Sequence, residues 1–177
     1  MPKQKPNADI YVPDVYRVVR VVEESADVRT LALEPREGAL PAWRPGQFGM
    51  FSAFGEGECP LTIASSPTRG VLECTFRRAG RVTRALFECE PGQEIGFRGP
   101  YGGIFPLGDW KGASLVFVGG GIGLPALRSS IQYALDHRAD YADITILYGM
   151  KNPREMIYRE ELDAWASAAR CRLILAV

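Results

Sequence analysis

Residues 115–126, LVFVGGGIGLPA, constrain the fold more than any other stretch of the chain. An apolar, β-branched run at 115–118 stops at three glycines and continues into an amphipathic pattern, which predicts a strand, a tight loop and a helix. Gly121, Gly123 and Ala126 satisfy G-x-G-x-x-A. Such a loop can hold an anion, because a backbone without side chains comes close to a phosphate and the amides that open the helix point at it along the helix dipole. Pro125 suits the first helical turn, where its missing N–H costs nothing. Glycine triplets also occur as plain turns between strand and helix, so the pattern alone leaves both readings open. A dinucleotide loop of the usual kind also calls for an acid about 20 residues on, at the end of the second strand. That strand, at 144–148, ends in Gly149, Met150 and Lys151, with no acid.

The periodicity differs on the two sides of this stretch. Upstream, alternating apolar and polar residues predict six short strands at 15–22, 28–33, 47–54, 61–64, 71–77 and 94–98. Turns are expected at FGEGE (54–58) and GPYG (99–102), and a short helix from Val82 to near Glu88. Close strand spacing with one helix suggests a small antiparallel barrel. Downstream, the pattern is strand, helix at 125–138, strand at 144–148, helix at 158–169, strand at 171–177. That order predicts a parallel α/β sheet with right-handed crossovers. It amounts to half of a doubly wound fold, so the chain is expected to be a fragment of a longer protein or to have its sheet completed by a partner chain. The expected organisation is a flexible tail at 1–13, the barrel at 14–110 and the N-terminal half of a nucleotide-binding domain at 111–177.

With 177 residues, 46% of them hydrophobic, there is enough material for one large or two small cores. Lys and Arg total 21, as do Asp and Glu, and this balance argues against a nucleic-acid partner. The longest apolar run, around 113–127, is broken by glycines and a proline and too short to cross a bilayer, so no membrane insertion is expected. The N-terminus lacks the apolar segment of a signal peptide, and a cytoplasmic location is expected. Cys59, Cys74, Cys89 and Cys171 show no C-x-x-C spacing, so no metal site is expected and the last three read as buried free thiols. The single histidine, His137, falls at a helix end beside Asp136 and Arg138, a structural position. Chemistry here would have to be carried by a bound cofactor.

Five stretches, in this order, resemble the ferredoxin-NADP reductase superfamily, in which a flavin-binding barrel precedes a pyridine-nucleotide domain. The nearest resemblance is to the diaphorase-type gamma subunits of cytoplasmic hydrogenases and anaerobic sulfite reductases, and to the electron-transfer subunit of dihydroorotate dehydrogenase. CPLTIASSP (59–67) resembles the family's R-x-Y-S/T flavin motif, with Cys59 where the family has arginine, then Pro60, Leu61 and Thr62. The resemblance implies that Leu61 packs on the isoalloxazine and that Thr62 takes the catalytic position at the flavin N5 edge, with Arg77 or Arg78 replacing the missing charge. TFRRAGRVTRAL (75–86) resembles the pyrophosphate loop, implying roles for Thr75, Phe76, Arg77, Val82 and Thr83. GPYG, with Gly99 and Tyr101, resembles the turn beside the flavin. Gly120, Gly121, Ile122 and Gly123 fall in the family's NAD(P) loop, and this family does not use the acid that the second strand lacks. LYGMKNPREM (147–156) resembles the loop that sorts the adenosine end, where Lys151 is a hint of NADP.

The expectation is therefore a flavoprotein electron-transfer subunit that uses FAD and NAD(P)H and passes electrons to an iron-sulfur partner in a hydrogenase or reductase complex. A [2Fe-2S] cluster is expected only in a longer parent chain or in a partner. Two alternatives stand beside it: a scaffold subunit that keeps the fold without the reaction, and a stand-alone NAD(P)H:flavin reductase.

Overall fold

The structure is a computed structural model that describes residues 10–177. Most of the predicted N-terminal tail, residues 1–9, lies outside the described residues.

Six antiparallel strands form the first unit: β1 (Asp14–Ser25), β2 (Val28–Pro35), β3 (Phe48–Ala53), β4 (Gly57–Thr62), β5 (Leu72–Arg77) and β6 (Glu94–Tyr101), in the order β4-β3-β6-β1-β2-β5. A bridge between Ile63 and Cys74, and the Ala64 N–H donated to the Glu73 carbonyl at 2.7 Å, join the last strand to the first. That closure makes the sheet a barrel and removes its exposed edges. The inward residues of each strand fill it: Val18, Leu31, Leu33, Phe51, Leu72, Phe76, Ile95 and Phe97 are buried. Phe97 meets Tyr16 and Phe51 edge-on, with ring centroids 5.3 and 5.1 Å away. Full burial of one such side chain contributes about 1.5–3 kcal/mol. The helix α1 (Arg81–Phe87) follows β5 and buries Leu86 and Phe87 in the same core.

The second unit alternates β7 (Leu115–Gly120), α2 (Leu124–Asp136), β8 (Ile144–Gly149), α3 (Arg159–Ser167) and β9 (Cys171–Ala176), with parallel order β7-β8-β9. Because right-handed crossovers that step in one direction place both helices on one face, the described residues cover the sheet on one side only. Leu115, Phe117, Ile144, Ile146 and Tyr148 bury that side with Leu124, Ile131, Leu162 and Trp165. On the other side Val116 is 63% and Val118 70% exposed.

Three expectations need correction. The fourth strand begins at Gly57 rather than Leu61 and ends at Thr62, so FGEGE is part turn and part strand. Its first residues are polar because Glu58 faces outward to Arg98, at 2.5 Å, which hides the strand from a reading of apolar periodicity. GPYG is not a free turn: Gly99, Pro100 and Tyr101 continue β6, and Tyr101 pairs with Phe48. Glycine is needed at 99 because φ is +151° and a Cβ would lie 3.2 Å from the Gly49 Cα. Of the thiols read as buried, only Cys74 is; Cys89 and Cys171, like Cys59, are half-buried, and all four are free.

Candidate functional site

The end of β4 opens onto a cleft of about 360 Å³ lined by Gly46, Phe48, Pro60, Leu61, Thr62, Phe105 and Ala126. Six of these come from the barrel side and the seventh from the first turn of α2, so the cleft lies where the two units meet. Leu61 is half-buried against the barrel core, and Thr62 is held by its pairing with Phe48. Among the described residues nothing hydrogen-bonds the Thr62 hydroxyl. Apolar walls with one free hydroxyl suit a flat aromatic ring that has a polar edge. Tyr101 packs on Phe48, with ring centroids 6.0 Å apart and the planes tilted by 53°. Ala126 closes the G-x-G-x-x-A pattern, whereas Phe105, Phe48 and Gly46 were not singled out from the sequence. Phe105 is fixed by its N–H donated to the Pro45 carbonyl at 2.9 Å, a contact across 60 residues that no local pattern announces.

The glycine loop lies at the C-terminal end of β7, as predicted. Gly121 to Gly123 form one tight turn before α2, and Gly121 has φ +48°. A Cβ on Gly121 or Gly123 would meet nothing within 4 Å, whereas one on Gly119 would lie 3.2 Å from Leu127. Packing thus explains Gly119 but not Gly123, and the space over 121–123 is open to a ligand. Gly120 and Ile122 are exposed beside it. Lys151, just past β8, is exposed and has no ion pair among the described residues.

The 75–86 stretch is less open than the sequence suggests. Phe76 lies in the barrel core, and the Thr75 hydroxyl is shared by Thr30 at 2.7 Å and Tyr158 at 2.6 Å. Arg77 reaches Asp27 at 3.0 Å and Glu155 at 3.7 Å, while Arg78 lies 4.7 Å over the Phe87 ring. Neither guanidinium is directed to Cys59, whose thiol pKa is pushed up by burial and by Glu58. Thr83 accepts the Ala79 and Gly80 N–H groups at 3.0 and 2.8 Å, and so fixes the entry to α1. Val82 is half-buried against the barrel. Beside α1, Arg78, Arg81 and Arg84 line a shallow cleft of about 590 Å³.

Residues 117–177 match the oxidoreductase NAD-binding domain family. The chain is 37% identical over 139 residues to the sulfhydrogenase 1 gamma subunit of Pyrococcus furiosus, covering 76% of this chain and 48% of that protein. From residue 117 on, the chain carries an oxidoreductase NAD-binding domain. A probable dihydroorotate dehydrogenase B electron-transfer subunit of Methanothermobacter thermautotrophicus is 31% identical over 160 residues, covering 86% of this chain and 54% of the relative. The chain spans about half the length of the curated relatives it matches. Ferredoxin-NADP+ reductase of Plasmodium falciparum superposes with a TM-score of 0.81 at 16% identity, over 93% of this chain and 70% of the other. The FAD/NAD-binding domain of a Vibrio cholerae nitric oxide dioxygenase gives 0.76 at 16% identity, over 92% and 78%. These last two show the shared two-unit fold. No helix among the described residues is long and apolar enough to cross a membrane.

Proposed function

We propose that this chain is the flavin- and nucleotide-binding part of an electron-transfer subunit, working between NAD(P)H and an iron-sulfur partner. The observation that carries the reading is the placement of Leu61 and Thr62 across one cleft from Ala126, three residues beyond the glycine loop. FAD, when bound, would supply hydride acceptance from NAD(P)H and release of electrons one at a time. Leu61 and Phe48 would hold the ring by apolar contact, and the free Thr62 hydroxyl would hydrogen-bond its polar edge. The loop at 120–123 would place the nucleotide by its backbone amides and the α2 dipole. Thr83 holds the chain in the shape that presents the amides of Val82 and Thr83 to a pyrophosphate, and Arg78, Arg81 and Arg84 are the basic residues around α1. Lys151 would meet a 2′-phosphate if NADP is the donor.

An absorption spectrum of the purified protein, before and after incubation with FAD, tests the first half. A flavin band near about 450 nm that survives gel filtration is expected. Rapid mixing with NADH or NADPH tests the second half, with bleaching of that band expected from at least one of them. A second reading, a scaffold subunit without the reaction, is favoured by Cys59 at the family's arginine position and by the pairing of Arg77 with Asp27 and Glu155. Bound flavin that neither nucleotide bleaches would select it.

A further inference from the structure

The face of α2 that turns away from its own sheet is polar and buried. Arg128, 6% exposed, donates to Glu73 at 2.6 Å, to Glu161 at 2.6 and 2.7 Å, and to the Ala64 carbonyl at 3.3 Å. Ser129 donates to the Ser65 carbonyl at 2.8 Å, and Gln132 accepts the Ser66 N–H at 2.8 Å. One helical turn further, Asp136 takes Arg69 at 2.6 Å and the Thr68 hydroxyl. Positions 128, 129, 132 and 136 share one helical face, and they bind Ala64, Ser65, Ser66, Thr68 and Arg69 in the segment that follows Thr62. Glu73 holds that turn from its other side, with its carbonyl on Ala64 N–H and its own N–H on the Ser65 hydroxyl at 2.9 Å.

Both walls of the 360 Å³ cleft are therefore two residues from this clamp: Thr62 precedes Ala64 by two, and Ala126 precedes Arg128 by two. We propose that the polar face of α2 sets the distance across the cleft, with Arg128 as the positioning residue at its centre, a proposal that rests on the electron-transfer reading for its consequence but not for its geometry. Arginine is suited to the task because its planar fork reaches two carboxylates and a carbonyl at once, which a lysine ammonium on a flexible stem cannot do in one geometry. The clamp's consequence is on rate rather than on retention of flavin, because a misplacement of about 1 Å costs up to about 10² in a reaction that depends on approach.

The test uses the full chain loaded with FAD and three variants, Arg128→Lys, Arg128→Ala and Gln132→Ala, each followed by hydrogen exchange at the Ser66 amide and by stopped-flow bleaching with NADH and NADPH. In Arg128→Lys we expect retained flavin, exchange at Ser66 faster by about tenfold, and a maximal bleaching rate lowered by about tenfold with the half-saturating nucleotide concentration changed less than twofold. Gln132→Ala, which removes the acceptor of the Ser66 N–H and one donor to Glu161 but leaves Arg128 and Glu73 in place, shows the same signs more weakly and covers the case in which Arg128→Ala fails to fold. Unchanged Ser66 exchange in both Arg128→Lys and Gln132→Ala overturns the proposal, as does faster exchange with an unchanged maximal rate. If the unmodified chain is not bleached by either nucleotide, the electron-transfer reading fails, and the clamp stands or falls on the Ser66 exchange alone.

Discussion

Thr62 is the residue whose loss should separate binding from reaction. Its hydroxyl has no partner among the described residues and faces the cleft, so removing it disturbs no internal hydrogen bond. Thr62→Val keeps the shape and deletes only the donor. Retained FAD and a bleaching rate reduced by about 2- to 10-fold are expected, since one hydrogen bond from a neutral hydroxyl is worth about 0.5–1.5 kcal/mol. Stopped-flow bleaching checks it, and an unchanged rate would remove Thr62 from the reaction. Glu24 is a second residue with a defined signature. Burial raises its carboxyl pKa, and the hydrogen bonds it accepts from the Tyr158 N–H and the Thr30 hydroxyl, both at 2.7 Å, offset only part of that cost. The folded chain thus binds this proton more tightly than the unfolded one. The group's contribution is fully present below the ordinary carboxylate pKa and is lost as pH rises through the raised value. In Glu24→Gln the decline is absent, so the Tm of the variant minus that of the unmodified chain should grow from about pH 4 to pH 7. A difference that stays flat would show that Glu24 ionises as freely folded as unfolded.

At the scale of elements, the alternation from β7 to β9 was legible to within about two residues, because each strand and helix there has one apolar side and glycines end β7 and β8. β4 was misplaced because its outer residues make ion pairs rather than apolar contacts. The α2 sequence shows which residues share a face; it does not show whether water or another unit covers the polar one. Arg128, Ser129 and Gln132 read as an ordinary hydrophilic side until the barrel is set against them. Of the residues that line the cleft, Pro60, Leu61, Thr62 and Ala126 were named from sequence patterns, while Phe105 entered only through a contact distant in sequence. The uncovered side of the parallel sheet carries its own prediction. Val116 and Val118 lie on one strand with their side chains in solvent, and an exposed apolar patch of this kind promotes association. Replacing both with Thr keeps the β-branched shape that the strand favours. Sedimentation should show the 177-residue chain self-associating as its concentration rises, and the double variant associating less at the same concentration.

In the whole molecule, the barrel and the parallel unit are joined through a closed ring of hydrogen bonds as well as through α2. The Tyr158 N–H binds Glu24, Glu24 accepts from Thr30, Thr30 meets Thr75, and Thr75 meets the Tyr158 hydroxyl. Tyr158 takes φ +57°, a conformation costly for a non-glycine residue, and the ring holds it there at the start of α3. Residues 24 and 158 are 134 positions apart, which is why no local reading of the sequence found this contact. A polar seam with its partners satisfied couples the units: parting them would expose Arg128, Glu73 and Glu24 to re-pairing and leave Tyr158 without the contacts that fix its backbone. The two units should therefore unfold in one transition, with hydrogen exchange in β2 and in β8 reporting the same opening free energy. Tyr158→Phe removes one link while keeping the buried ring, at a cost of about 1 kcal/mol. For a chain of this size that corresponds to about 2–4 °C in Tm. The loss should be the same whether followed in β2 or in β8, because the link belongs to the seam and to neither unit alone; a loss confined to one of them would mean that the units unfold separately.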